Sequence, residues 1–189
     1  MPKCFSLNIH ASLLPKYRGA APINWALING DDETGITIIK MNEKMDEGDI
    51  IIKREAVIDK EDTNITLSEK LADIGADALM EAVELIASGK SKFTGQDNSA
   101  ATYAPKLKKE DGLINWNEPA TKIHNNVRGL IPWPGAYTHF KSKILKILKT
   151  EVLEAEDNKG TSGEVVDIVK HKGIVIKTGA GNLLIKYVQ

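Results

Sequence analysis

Along residues 6–10 apolar and polar side chains alternate, which in an extended strand sends Leu7 and Ile9 to one face and Asn8 and His10 to the other. The spacing predicts a strand with a core face and a second face open to chemistry. A SLLPKYRG turn follows, and Pro22, suited to the first position of a helix, opens a short helix over 22–29 that Gly30 ends. After Gly35 the β-branched run ITIIKM predicts a buried strand, and residues 50–57 predict another. Leu67, Leu71, Ile74, Ala78, Ala82, Leu85 and Ile86 then recur at helical spacing up to Gly89, with Thr66 and Glu69 as a capping box. This helix is expected to lie across a sheet.

Between Gly89 and Asp111 the periodicity gives way to Ser, Lys, Gly, Gln, Asp, Asn and Thr, which predicts a linker over 91–110. An amphipathic helix is expected over 119–130, then β-rich runs at 136–140, 143–153, 163–169 and 173–178, with a fifth beginning at Asn182. Several short strands divided by turn residues predict a small OB-like β-barrel. The expected organisation is a first domain over 1–90, the linker, and a second domain over 111–189. Trp116 and Trp133 are read as packing residues, the latter in a WPG turn.

The 189 residues are 42% hydrophobic and 27% charged, an ordinary globular composition that excludes collagen-like and disordered classes. No run of about 18 apolar residues offers a membrane span, and no secretory layout opens the chain, so a soluble cytoplasmic protein is expected. The single cysteine, Cys4, has no disulfide partner and no zinc-type spacing, and is read as a buried or incidental thiol. Residues 1–110 carry 14 Lys+Arg against 18 Asp+Glu, and residues 111–189 carry 11 against 8. The basic back half suits an anionic partner, and solvated surface charge explains it equally well.

Asn8, His10 and Asp46 are the candidate chemical residues. An Asn amide can donate to a carbonyl oxygen, a His can donate to a developing oxyanion or move a proton, and an Asp can orient the ring or take a proton through water. Together they are the minimum for acyl transfer without a covalent intermediate. By spacing alone each also has an ordinary reading: a satisfied strand histidine, an Asn capping backbone, and a turn at MDEGD. Neither Ser12 nor Cys4 has a base nearby in sequence, which argues against a nucleophile.

The string NIHASLLPKYRGAAPINWALINGDDETGITI, followed by KMDEGDII, resembles the second half of the catalytic domain of the folate-dependent formyltransferases. TYAPKLKKEDGLINW and RGLIPWPGAYT resemble the branch of that family that acts on tRNA, and the resemblance runs over nearly the whole chain. It implies an α/β fold, the C-terminal half of a Rossmann-like domain followed by the OB-like domain. It implies that the formyl group of 10-formyltetrahydrofolate passes, without a metal, to the amino group of initiator methionyl-tRNA, with Asn8 and His10 stabilising the oxyanion and Asp46 assisting proton removal. Ser12, Leu13, Leu14, Pro15, Arg18, Gly19 and Gly48 would border the formyl donor or the aminoacyl end. Lys141, Lys143, Lys146 and Lys149 would meet the tRNA.

On alternation Lys141 and Lys143 share a strand face, with Lys146 on the other unless the strand bulges. Two alternatives stay open: an enzyme formylating amino-sugar nucleotides, which shares the three chemical residues and a similar PWPGA segment, and a non-catalytic tRNA-binding remnant. The resemblance also implies a preceding Rossmann-like half and a last C-terminal segment, so the chain is expected to be truncated at both ends and to expose the edge of a parallel sheet.

Overall fold

A computed structural model describes residues 5–153 and 160–189; Cys4 lies outside the described residues. The chain divides into two units, Met1–Ala26 with Asp31–Lys106, and Leu27–Gly30 with Leu107–Gln189. The helix expected over 22–29 forms as α1 (Pro22–Asn29).

In the first unit β3 (Glu33–Lys40) lies between β1 (Leu7–His10) and β4 (Asp49–Val57), antiparallel to both. The parallel sheet implied by the resemblance is therefore not what these strands make. Only residues 41–48 join β3 to β4, too few for a parallel crossover, which needs about a dozen. β3 is buried on both faces, as its β-branched run predicts. α2 (Asn64–Ala87) covers one face of this sheet through Leu67, Leu71, Ala78 and Ala82. Each fully buried leucine contributes about 1.5–3 kcal/mol. Ile9, expected in the core, lies against Gly75 of α2 yet is 41% exposed, because β1 is the edge of the sheet.

α2 starts one turn before the expected capping box. Thr63 is the N-cap: its hydroxyl accepts from Thr66 N–H, and Thr66 Oγ1 accepts from Thr63 N–H. Asp62, just before it, is buried, which alone pushes its carboxyl pKa up. Hydrogen bonds from Lys70 Nζ, Asp59 N–H and Thr66 Oγ1, with the Lys70 charge, outweigh burial and leave the group below the usual carboxylate range. That cluster fixes the helix start at 63.

Residues 91–106, read as part of a linker, carry structure that belongs to the first unit. Thr94 bridges to Ile50, a 3₁₀ turn spans Asn98–Ala100, and β5 (Tyr103–Ala104) pairs in parallel with β2 (Arg18–Gly19). Backbone pairing of this kind needs no apolar periodicity.

In the second unit α3 (Ala120–Gly129) packs on one face of a five-stranded antiparallel sheet. Its strands are β6 (Ala136–Phe140), β7 (Lys143–Leu153), β8 (Val165–Val169), β9 (Gly173–Lys177) and β10 (Asn182–Val188), in spatial order β6-β7-β10-β9-β8. Ile123 and Val127 of the helix meet Ile147, Ile176, Leu183 and Ile185. The OB-like barrel does not close: among the described residues no pairing joins β6 to β8, so the sheet has two edges. Trp116 packs against this core, whereas Trp133 is 53% exposed and is not a packing residue.

Thr63→Ala should lower stability by about 1 kcal/mol, visible as a lower melting temperature by circular dichroism. Because the Asp62 carboxyl is depressed in the folded state, its contribution is complete above the ordinary carboxylate pKa of about 4 and is lost as pH falls through the folded value. Urea unfolding should therefore show Asp62→Asn less stable at neutral pH, with the acid decline shallower than in the parent.

Candidate active site

The 41–48 connection carries Asp46 in a left-handed backbone conformation, φ 55°. Gly48 lets this connection return tightly to β4: a Cβ there would lie 2.0 Å from the Lys40 carbonyl oxygen. Asp46 Oδ2 accepts from the Gly19 N–H at 2.8 Å, and Oδ1 is 3.6 Å from His10 Nδ1. His10 is 5% exposed, with its other ring nitrogen, Nε2, 2.9 Å from the Tyr17 carbonyl oxygen. A carbonyl can only accept, so Nε2 carries the proton and Nδ1 is turned to the carboxylate. Asn8, two residues earlier on the same strand face, is half-buried, and its amide makes no hydrogen bond among the described residues. The structure thus joins His10 to Asp46 and leaves the Asn8 amide free to act as a donor.

The turn residues divide into those that hold the turn and those that offer surface. Ser12 and Leu14 are fully buried. Ser12 Oγ donates to Lys16 O at 2.6 Å, while Thr37 Oγ1 donates to Ser12 O at 2.6 Å and accepts from Leu14 N–H at 3.1 Å. One threonine hydroxyl therefore pins the turn to β3. The side chains of Ser12 and Leu14 are internal, and Leu13, Pro15 and Gly19 are the half-buried members.

Arg18, expected to border a ligand, is 2% exposed and faces inward. A buried cation needs partners, and it has three: Gln96 Oε1, accepting from Nε at 3.1 Å and Nη2 at 2.7 Å; Asn98 Oδ1, from Nη2 at 2.7 Å; and Glu47, 3.4 Å from Nη1. Gln96, Asn98 and Tyr17 carry no periodic signal that would pick them out. The αL conformation of Tyr17, φ 61°, is likewise invisible in the residue type. Beside Gln96, the Ser99 hydroxyl and then the Ser99 N–H hold the Asp97 carboxyl below its ordinary pKa and cap the 3₁₀ turn.

Lys141, Lys143, Lys146 and Lys149, in the second unit, are all exposed. Lys141 and Ser142, φ 47° and 62°, form the two-residue hairpin turn between β6 and β7, so Lys141 shares no strand face with Lys143. β7 does bulge against β10: Ile147 and Val152, an odd number of residues apart, both pack on the core. Lys146 and Lys149 flank that irregularity.

Among the described residues no three His, Cys, Asp or Glu side chains converge as a metal site, and no helix is long and apolar enough to cross a membrane. Residues 1–83 match the formyl transferase family and residues 106–189 its C-terminal domain. The chain belongs to the formyl transferase family. It is 44% identical over 185 residues to a methionyl-tRNA formyltransferase of Fusobacterium nucleatum, covering 98% of this chain and 60% of that protein. It is 45% identical over 190 residues to a methionyl-tRNA formyltransferase of Caldanaerobacter subterraneus, covering 100% and 60%. The chain thus spans about 60% of the length of the curated relatives it matches.

Two solved structures share the fold. HypX from Aquifex aeolicus, in complex with tetrahydrofolic acid, superposes with a TM-score of 0.73 at 23% identity, over 97% of this chain and 32% of that one. WlaRD, a sugar 3N-formyl transferase, superposes with a TM-score of 0.77 at 22% identity, over 95% and 64%.

Gly48→Ala should destabilise the protein by about 1–3 kcal/mol through the clash with Lys40 O, read as a lower urea midpoint. An unchanged midpoint would mean that the 41–48 connection is not held as described.

Proposed function

We propose that this chain carries the reacting residues of an enzyme that transfers the formyl group of 10-formyltetrahydrofolate to the α-amino group of methionine esterified to initiator tRNA. The observation that carries the reading is the His10–Asp46 pair at 3.6 Å, with the Asn8 amide, unpartnered among the described residues, on the same face of β1. The choice of acceptor rests on the methionyl-tRNA formyltransferases, which are 44–45% identical over essentially the whole chain, against 22% for the sugar enzyme. The three-stranded sheet would be an antiparallel extension of a Rossmann-like sheet.

The folate supplies an electrophilic formyl carbon. Asn8 donates its amide N–H to the formyl oxygen, where negative charge grows as the amine attacks. His10 adds a second donor there once Nε2–H leaves the Tyr17 carbonyl. Asp46, fixed by the Gly19 N–H, orients the imidazole and accepts the amine proton through water. The tetrahedral intermediate then collapses: the bond between the formyl carbon and the folate nitrogen breaks, that nitrogen takes up a proton, and tetrahydrofolate leaves. Leu13, Pro15 and Gly19 border the reacting groups. Lys141, Lys143, Lys146 and Lys149 meet tRNA phosphates.

Incubating the chain with 10-formyltetrahydrofolate and methionyl initiator tRNA should yield formylmethionyl-tRNA, with turnover at least about 100-fold lower in His10→Ala. Formylation of an amino-sugar nucleotide in place of tRNA would overturn the choice of acceptor, and tRNA binding with no formyl transfer would overturn the catalytic reading. Replacing all four lysines by alanine should reduce the slope of log K for tRNA against log salt by about 3, if each neutralises one phosphate.

A further inference from the structure

We propose that Gln96 is a positioning residue for the Asp46 carboxylate, held in its working orientation by Arg18. The inference rests on the reading of Asp46 and His10 given above. Gln96 Nε2 donates to two carbonyl oxygens of the β3–β4 connection, Asp46 O at 2.7 Å and Gly48 O at 2.8 Å. These bonds use both amide protons, so the backbone on either side of Glu47 is tied to one side chain. Gln96 Oε1 faces Arg18, whose guanidinium can only donate. The amide therefore has one satisfactory orientation, with oxygen to Arg18 and nitrogen to the loop. Arg18 is itself anchored by the β2–β5 pairing, where its backbone N–H donates to Thr102 O at 2.9 Å.

The loop needs such a tether. Asp46 sits at φ 55°, a left-handed conformation that is strained for a non-glycine residue and persists where the surroundings enforce it. The carboxylate has a built-in reporter as well. Along β2 and the residue after it, the N–H groups of Arg18 and Ala20 donate to Thr102 O and Ala104 O in and just before β5, which leaves the Gly19 N–H pointing the other way, to Asp46 Oδ2 at 2.8 Å. A shift of the carboxylate has to register at that amide.

Nuclear magnetic resonance of the Gly19 amide in the 189-residue chain tests the assignment, with Asp46→Asn marking the loss of the charged acceptor. Gln96→Glu keeps an oxygen for Arg18 and removes both donors to the loop. Gln96→Ala removes every contact without adding charge near Glu47. In both variants the Gly19 amide should move in the direction seen for Asp46→Asn and lose at least about tenfold of its exchange protection, while the amides of α2 stay unchanged. In turnover, kcat should fall about 10- to 100-fold, with KM for either substrate within about twofold of the parent.

A Gly19 amide that stays in place in both variants, or a loss of rate that lies wholly in KM, overturns the proposal. The amide is read without substrate. A chain that forms no product would overturn the formyl-transfer reading, and the Gly19 amide would still decide whether Gln96 positions Asp46.

Discussion

A guanidinium withdrawn from water must find acceptors on all its sides, and Arg18 meets that demand with side chains from two separate stretches, Glu47 and the pair Gln96 and Asn98. Burying this one cation gathers the β3–β4 connection and the 95–98 segment around β2. The candidate chemistry follows from that gathering. Asp46 is next to Glu47, and once its backbone is drawn in, its carboxylate reaches both the Gly19 N–H and the imidazole of His10. A cation placed for structure thereby sets an anion placed for reaction.

The elements that were legible in the sequence are those whose signal is local. The run ITIIKM marked β3, the leucine and alanine spacing marked α2, and two strands of the second unit begin and end where the alternation and turn residues put them. Pairing is not local, so the antiparallel sense of the first sheet and the open edges of the second could not be read from the same pattern. The start of α2 was displaced because Asp62 and Lys70, eight residues apart, decide it together with Thr63.

For the site, the period-two pattern put Asn8 and His10 on one face, while Asp46 was a candidate by its chemistry in the MDEGD turn and gained its role from the family resemblance. Gln96 was hidden because its partners are backbone carbonyls and a buried arginine, and neither leaves a trace in hydrophobic spacing. Arg18, set among Pro, Lys, Tyr and Gly, has the look of a surface residue in sequence. Its burial follows from acceptors about 30 and 80 positions away.

In the second unit α3 covers one face of the sheet and β7 changes phase along its length. Ile147 and Val152 both turn to the core although strict alternation would send one of them out. A bulge of this kind increases the local twist of the strand.

β1, which carries Asn8 and His10, has a ladder partner on only one flank among the described residues. Its outer row of peptide groups is a template on which a further strand can dock with ordinary cross-strand geometry, whether that strand comes from its own polypeptide or from a neighbouring copy. Residues suited to catalysis thus sit on an edge strand, where a docked neighbour would bear directly on the backbone that carries them.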